Sequence, residues 1–298
     1  MLPTLRQLHY LTLLSEHGSF SRAADAAHVT QPTLSAGIQE LERLLGAPMV
    51  DRARSGVILT AAGEEAVRRA RIVLREAQDL TDAAAAAGQP LSGRFRLGVI
   101  PTIAPFLLPR ALPLLKVRYP RLRLFLREDL THRLIAALKA GALDAALMAL
   151  PYDMSGLDQV HVMDDELLAA APADHPLARQ TRISPESLKT GELILLEDGH
   201  CLRDQALAAC GLEPPARGDD GDGFAATSLP TLMQMVGSGL GLSFLPAMAA
   251  DAEMLDAAHV AVRPISAARP PSREIVIAWR AGSSRAPEAR LLAETFAA

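Results

Sequence analysis

Two cysteines stand in the run LEDGHCLRDQALAACGLEPP, at positions 201 and 210, and the 298-residue chain has no others. So sparse a pair does not staple a secreted scaffold, so in a reducing compartment it is reactive, metal-binding or incidental. After Gly199 the run LRDQALAAC favours helix, and Gly211 followed by Pro214 would end it. Cys201 then opens a helix, beside His200 and Arg203. The positive helix end and the guanidinium are expected to favour thiolate, the form that attacks a peroxide; the negative end disfavours it at Cys210. Nine positions of helix put the two Cα atoms about 13 Å apart at 1.5 Å per residue. A disulfide needs roughly 4.4 to 6.8 Å. Bond formation would have to unwind such a helix, coupling oxidation to shape and leaving a disulfide that is easily reduced.

Other chemistries are weaker or equal on these residues. Zinc calls for more ligands at closer spacing, and only His200 joins the cysteines nearby. Spacing alone leaves reactive thiols and inert core cysteines equally open. A thiol-dependent enzyme is a third reading.

The elements that must position these residues begin with length: 298 residues, 49% hydrophobic, suggest about two folding units. The net charge is -4, and residues 1–60 hold five Arg against five Asp or Glu, so charge gives no signature of nucleic-acid binding. Apolar stretches are too short to cross a bilayer, and the start lacks a basic run ahead of a cleavage site, so the chain is expected in the cytoplasm.

Leu5, Leu8, Leu11 and Leu14 mark a first helix, SFSRAADAAHV a second, and QPTLSAGIQELERLLG a third with Leu34, Ile38, Leu41 and Leu45 on one stripe. PMVDRARSGVILT reads as a two-stranded wing turning near Ser55 and Gly56, and Thr60 can cap a long helix whose stripe (Val67, Ile72, Val73, Leu80) suits pairing with a copy of itself. GQPLSG reads as a linker. From Arg94 onward strands and helices alternate, which predicts a doubly wound, mostly parallel sheet in two α/β subdomains with a cleft between them.

Residues 19–45 fit a helix-turn-helix, whose second helix offers Gln31, Thr33, Ser35 and Gln39 to base edges with Pro32 fixing its start. Arg52 and Arg54 in the wing suit phosphates, and Arg6 is a further DNA candidate. A small helical packing domain is the plain alternative. FSRAADAAHVTQPTLSAGIQELERLLG, then PMVDR and LTAAGE, resembles the winged helix of the LysR-type regulators, and the domain order extends the likeness to the whole chain. That resemblance implies an N-terminal winged helix-turn-helix, a long linker helix that makes the dimer, and a two-subdomain, periplasmic-binding-protein-like α/β regulatory module. It also implies a homotetramer, in which several copies multiply modest phosphate contacts.

GHCLRDQALAAC, with VIPTIAPFLLP and THRLIAALKAG before it and FAATSLPTLMQMVGSGLGLSFLPA after it, is similar to the OxyR-type peroxide sensors of that family. The resemblance gives Cys201 the peroxidatic role and Cys210 that of resolving the sulfenic acid into a disulfide. It marks a peroxide pocket of Thr102, Thr131, His200, Arg203 and Arg273. Both threonines fall after strands at helix starts, where open α/β sheets bind ligands, although helix capping alone is the commoner role of such a Thr. The segment GLEPPARGDDGDG, ending at Gly223, is a departure that looks longer than in typical relatives.

The resulting expectation is a DNA-binding regulator, not an enzyme, divided into residues 1–60 (winged helix), 61–93 (dimerising helix and hinge), and 94–298 (regulatory). Within the last, 94–165 with 268–298 form one subdomain and 166–267 the other. Its expected partners are promoter DNA, hydrogen peroxide, further copies of itself, a glutaredoxin- or thioredoxin-type reductant and RNA polymerase, with no membrane and no metal or organic cofactor. The alternative is a LysR-type regulator binding a small metabolite in the intersubdomain cleft, its cysteines incidental.

Overall fold

The computed structural model describes residues 2–53, 56–85, 89–189, 193–209, 211, 225–250, 252–268 and 270–297. The chain divides into two compact units, residues 1–90 with 139–142, and residues 91–138 with 143–298.

In the first unit, Thr4 opens α1 (Leu5–His17) with a capping box: its hydroxyl accepts from the Gln7 N–H while the Gln7 carboxamide accepts from the Thr4 N–H. Helix α2 (Phe20–Ala26) follows, and α3 (Gln31–Leu45) starts at the Thr30 cap with Pro32 in its first turn. Gly46, at φ +70°, stops it. Tyr10, Leu11, Leu14, Ala23, Leu34, Ile38 and Leu41 close one core, whereas Leu5 and Leu45 of the anticipated stripes remain exposed. Strands β1 (Val50–Ala53) and β2 (Gly56–Leu59) pair antiparallel as the wing, and Ser55, where a turn was expected, lies outside the described residues. The Gly63 N–H donates to Thr60 Oγ1, which caps α4 (Ala61–Ala85). Val67 of its stripe is buried, but Val73 and Leu80 are exposed.

The second unit opens with β3 (Gly93–Val99), α5 (Ala104–Arg118), β4 (Leu122–Glu128), α6 (Thr131–Lys139) and β5 (Ala145–Leu150). Here β3 lies parallel to both β4 and β5. A long strand, β6 (Leu157–Pro172), leads to α7 (Pro185–Lys189), β7 (Leu195–Leu196), α8 (Cys201–Ala209) and β8 (Ala225–Ala226). Then come α9 (Leu229–Gly237), β9 (Ser243–Pro246), α10 (Ala252–Ala258), β10 (Val260–Pro264), β11 (Ser272–Arg280) and α11 (Ala286–Phe296).

The main sheet runs β10-β6-β11-β5-β3-β4, with β9 also on β6. It is not mostly parallel as the alternation of strands and helices implies. Strand β11 is antiparallel to β5 and β6, and β6 is antiparallel to β9 and β10. Among the described residues, parallel pairing is confined to β3 with its two neighbours and to the β7–β8 pair, apart from isolated bridges. The cause is β6, which serves two cores: up to Glu166 it pairs with β11, and from Leu167 onward with β9 and β10. One core gathers Phe95, Leu147, Ile277 and Trp279, the other Leu167, Leu196, Met233 and Phe244.

Candidate functional site

Cys201 is the first residue of α8, and two preceding features deliver it there. Gly199 sits at φ +98°, a left-handed conformation that side-chain-bearing residues rarely adopt, and a Cβ there would lie 3.2 Å from Leu130 Cδ1. The turn is closed by the His200 N–H donating to the Glu197 carbonyl. Cys201 is partly buried, and Thr131, the buried first residue of α6, donates its hydroxyl to Cys201 Sγ at 3.6 Å.

Thr102 and Arg273 form the second half of the site. Arg273, on β11, is 1% exposed and donates from Nη1 to Thr102 Oγ1 (2.8 Å) and from Nη2 to the Thr102 carbonyl (3.0 Å). Its Nε donates to Asp165 Oδ2 at 3.0 Å, from the position opposite it on β6. Asp165 Oδ1 in turn accepts from the Met248 N–H at 3.0 Å. A buried charge needs such a set of partners, and here each guanidinium nitrogen has one.

The electrostatics differ from those expected of Cys201. Burial pushes its thiol above the ordinary range, and Asp204 adds to that; the Thr131 hydrogen bond, the Arg273 charge and the helix-end backbone work in the opposite direction. The cation that acts on the sulfur is therefore Arg273. Arg203, expected in that role, forms a close ion pair with Asp198 instead. Positions i and i+2 of a helix do not share a face, which fits Arg203 pairing with Asp198 while Arg273 acts on Cys201. His200 is half-buried, and burial pushes its imidazole pKa down against the pull of Glu197, which keeps it neutral at physiological pH. Cys210 and residues 212–224 lie outside the described residues.

The structure thus brings together Thr131 with Cys201, and Thr102 with Arg273. Two residues that sequence reasoning missed join them. Asp165 is 4% exposed. Gln205 lies one helical turn beyond Cys201 on the same side of α8, 7% exposed; its Nε2 donates to the Leu150 carbonyl and its Oε1 has no partner among the described residues. The Cys201-to-Gln205 spacing of i,i+4 was a readable signal for Gln205. No group of three or more His, Cys, Asp or Glu able to hold a metal ion occurs among the described residues.

The DNA-binding candidates lie in the first unit. Gln31, Pro32 and Thr33 are exposed in the first turn of α3, Ser35 is half-buried, Gln39 is exposed further along, and Arg6 is exposed on α1. Ser21 of α2 donates its hydroxyl to Gln31 Oε1 at 3.0 Å, and the hydroxyls of Thr30 and Thr33 are 2.8 Å apart. The Arg52 backbone pairs with Val57 in the wing, and Arg54 lies outside the described residues.

Comparison with known proteins is consistent along the chain. Residues 5–64 match the bacterial regulatory helix-turn-helix protein, lysR family, and residues 88–298 the LysR substrate binding domain. The chain is 40% identical over 294 residues to the DNA-binding transcriptional dual regulator OxyR of Escherichia coli K12, covering 99% of this chain and 95% of that protein. A full-length cysteine-to-aspartate variant of OxyR from Pseudomonas aeruginosa superposes with a TM-score of 0.79 at 36% identity, covering 99% of this chain and 98% of that one. A hydrogen-peroxide-bound cysteine-to-serine variant of Corynebacterium glutamicum OxyR gives 0.66 at 31% identity, covering 100% and 92%. The chain belongs to the LysR family of bacterial helix-turn-helix regulators, in its OxyR group.

Proposed function

We propose that this chain is a cytoplasmic transcription regulator that senses hydrogen peroxide by oxidation of Cys201 and transmits the change to promoter DNA. The observation that carries this reading is that Thr131 donates to Cys201 Sγ and that the positive charge acting on this sulfur belongs to Arg273, the arginine held by Thr102. The Thr102 oxygen accepts from Arg273, so its own proton is available to a peroxide oxygen. Gln205 Oε1 can accept a peroxide hydrogen. Burial keeps Cys201 a thiol at rest, and Arg273 stabilises the negative charge that develops on sulfur and on the departing oxygen.

In the first step Sγ attacks one peroxide oxygen, the O–O bond breaks, and the thiol proton ends on the leaving hydroxide. The products are Cys201 sulfenic acid and water. Cys210 then attacks the sulfenic sulfur, releasing a second water and leaving a Cys201–Cys210 disulfide. Return to the dithiol takes two electrons from a cellular thiol reductant of glutaredoxin or thioredoxin type. Because Cys201 belongs to α8, whose next residue after Ala209 is Cys210, oxidation is coupled to remodelling of this helix.

The winged helix-turn-helix supplies DNA contact, with Gln31, Pro32, Thr33 and Ser35 at base edges and Arg6, Arg52 and Arg54 at phosphates. Exposed Val73 and Leu80 on α4 suit a homodimer, and exposed Phe125 and Leu126 on the edge strand β4 suit a tetramer of paired regulatory modules. Partition at residues 60 and 93, with subdomains meeting near residues 165–166 and 267–268, matches these roles. RNA polymerase is the partner through which a bound tetramer acts on transcription.

Counting free thiols in the full chain before and after one equivalent of peroxide tests the reading. Loss of two thiols per chain, restored by a dithiol, is expected; a chain that keeps both thiols contradicts it.

A further inference from the structure

The peroxide reading uses Arg273 and Thr102 but assigns no part to the buried carboxylate behind them. Asp165 stands where β6 exchanges one set of partners for the other. One of its oxygens takes the Arg273 Nε–H, with Arg273 Nη2 also within 2.9 Å, and the other takes the Met248 N–H from the turn Ala247–Ala249. Both side chains of this ion pair are sealed from solvent, at 0% and 2% exposure. The pair therefore interacts without the screening that weakens surface pairs. A guanidinium so placed has a single charge to divide between the carboxylate and any anion at Cys201.

We propose that Asp165 is a positioning residue for the thiol chemistry: its carboxylate fixes Arg273 against Thr102 and offsets part of the guanidinium charge, restraining how readily Cys201 becomes an anion. The inference rests on the reading of Cys201 as the reactive thiol. Among the described residues, the charged groups acting on Cys201 are Arg273 from β11 and Asp204 from its own helix, and the group facing it from α6 is the Thr131 hydroxyl. Asp165 acts through Arg273, so it sets reactivity without touching the reacting atoms. It also ties the charge at the site to the strand that the two cores share.

The test is the pH profile of Cys201 alkylation by iodoacetamide in the full-length Cys210→Ser protein, with and without Asp165→Asn. Asparagine keeps an acceptor for the Arg273 Nε–H and removes the charge. The midpoint is expected to fall by about one pH unit, which is about tenfold more thiolate at a pH well below it, and the rate with peroxide to rise with it. A purely structural role leaves the midpoint unmoved, and a folded Asp165→Asn protein with the wild-type profile overturns the proposal. Asp165→Glu, which restores the charge, is expected to bring the midpoint back toward the wild-type value. Should Asp165→Asn not fold, the comparison is made between Arg273→Gln and Arg273→Gln/Asp165→Asn, where the double variant buries no bare charge. Because Asp165 acts through Arg273, the two variants must then titrate alike, and a double variant that titrates lower than the single one overturns the proposal. A wild-type Cys201 that ignores peroxide defeats the sensing reading instead, while alkylation still reports on Asp165.

Discussion

Thr102 holds the Arg273 guanidinium at two points, its hydroxyl accepting from Nη1 at 2.8 Å and its carbonyl from Nη2 at 3.0 Å. One loop residue after β3 thereby fixes the cation that acts on Cys201, 99 positions further along the chain. Removing the hydroxyl while keeping the shape isolates that role. In Thr102→Val the lost hydrogen bond to a charged group corresponds to about 1.5 to 3 kcal/mol, which is expected to slow the peroxide reaction by about tenfold or more. Stopped-flow oxidation under excess peroxide measures it. An unchanged second-order rate removes Thr102 from the site.

Burial dominates the Cys201 thiol, so its alkylation rate is expected to climb with pH through a midpoint above the ordinary thiol value of about 8.5. The thiolate fraction rises as pH approaches the raised pKa, so reactivity is low at neutral pH and gains on the alkaline side. Thr131→Val removes the hydrogen bond that favours the anion and is expected to move the midpoint higher still. Iodoacetamide kinetics on the Cys210→Ser protein follow this directly. A midpoint below that of a free thiol contradicts the assignment of burial as the leading cause.

Gly199→Ala is expected to destabilise the regulatory unit by about 1 to 3 kcal/mol, because alanine is strained at φ +98° and its Cβ meets Leu130. A lowered urea midpoint at unchanged m-value is the readout. The same change shifts the turn that presents Cys201, so peroxide reactivity is expected to fall as well.

On the DNA side, Gln31→Ala is expected to relax sequence preference at one base position, since Ser21 orients that carboxamide. Arg52→Ala or Arg54→Ala is expected to weaken binding to all sequences alike and to lower the salt slope by about one. Fluorescence anisotropy across a salt series distinguishes the two. A wing variant with the wild-type slope moves phosphate contact away from those residues.

Local signals account for what the sequence disclosed. Gly46, Gly199 and the caps at Thr4, Thr30 and Thr60 mark element ends by chemistry within a few residues, so the three helices, the long helix and the position of Cys201 were all readable. Pairing across long separations was not. The first half of β6, LDQVHVMDDE, is polar and only partly buried, so it carried no strand signal, and with it Asp165, 108 positions before Arg273, went unseen. The parallel β3–β5 start invited the same pattern throughout, although β6 and β11 run against it. Arg203 was chosen for adjacency in sequence, where helix geometry turns it toward Asp198.

The central claim is that Cys201 meets peroxide first and Cys210 second. The most direct measurement is sulfenic acid trapping with a dimedone-type reagent, located by mass spectrometry, in full-length Cys210→Ser and Cys201→Ser proteins given low peroxide. The account predicts label on Cys201 in the first, formed at the wild-type rate of thiol loss and open to over-oxidation for want of a partner thiol, and no label in the second. Label on Cys210 in the Cys201→Ser protein at that same rate would contradict it.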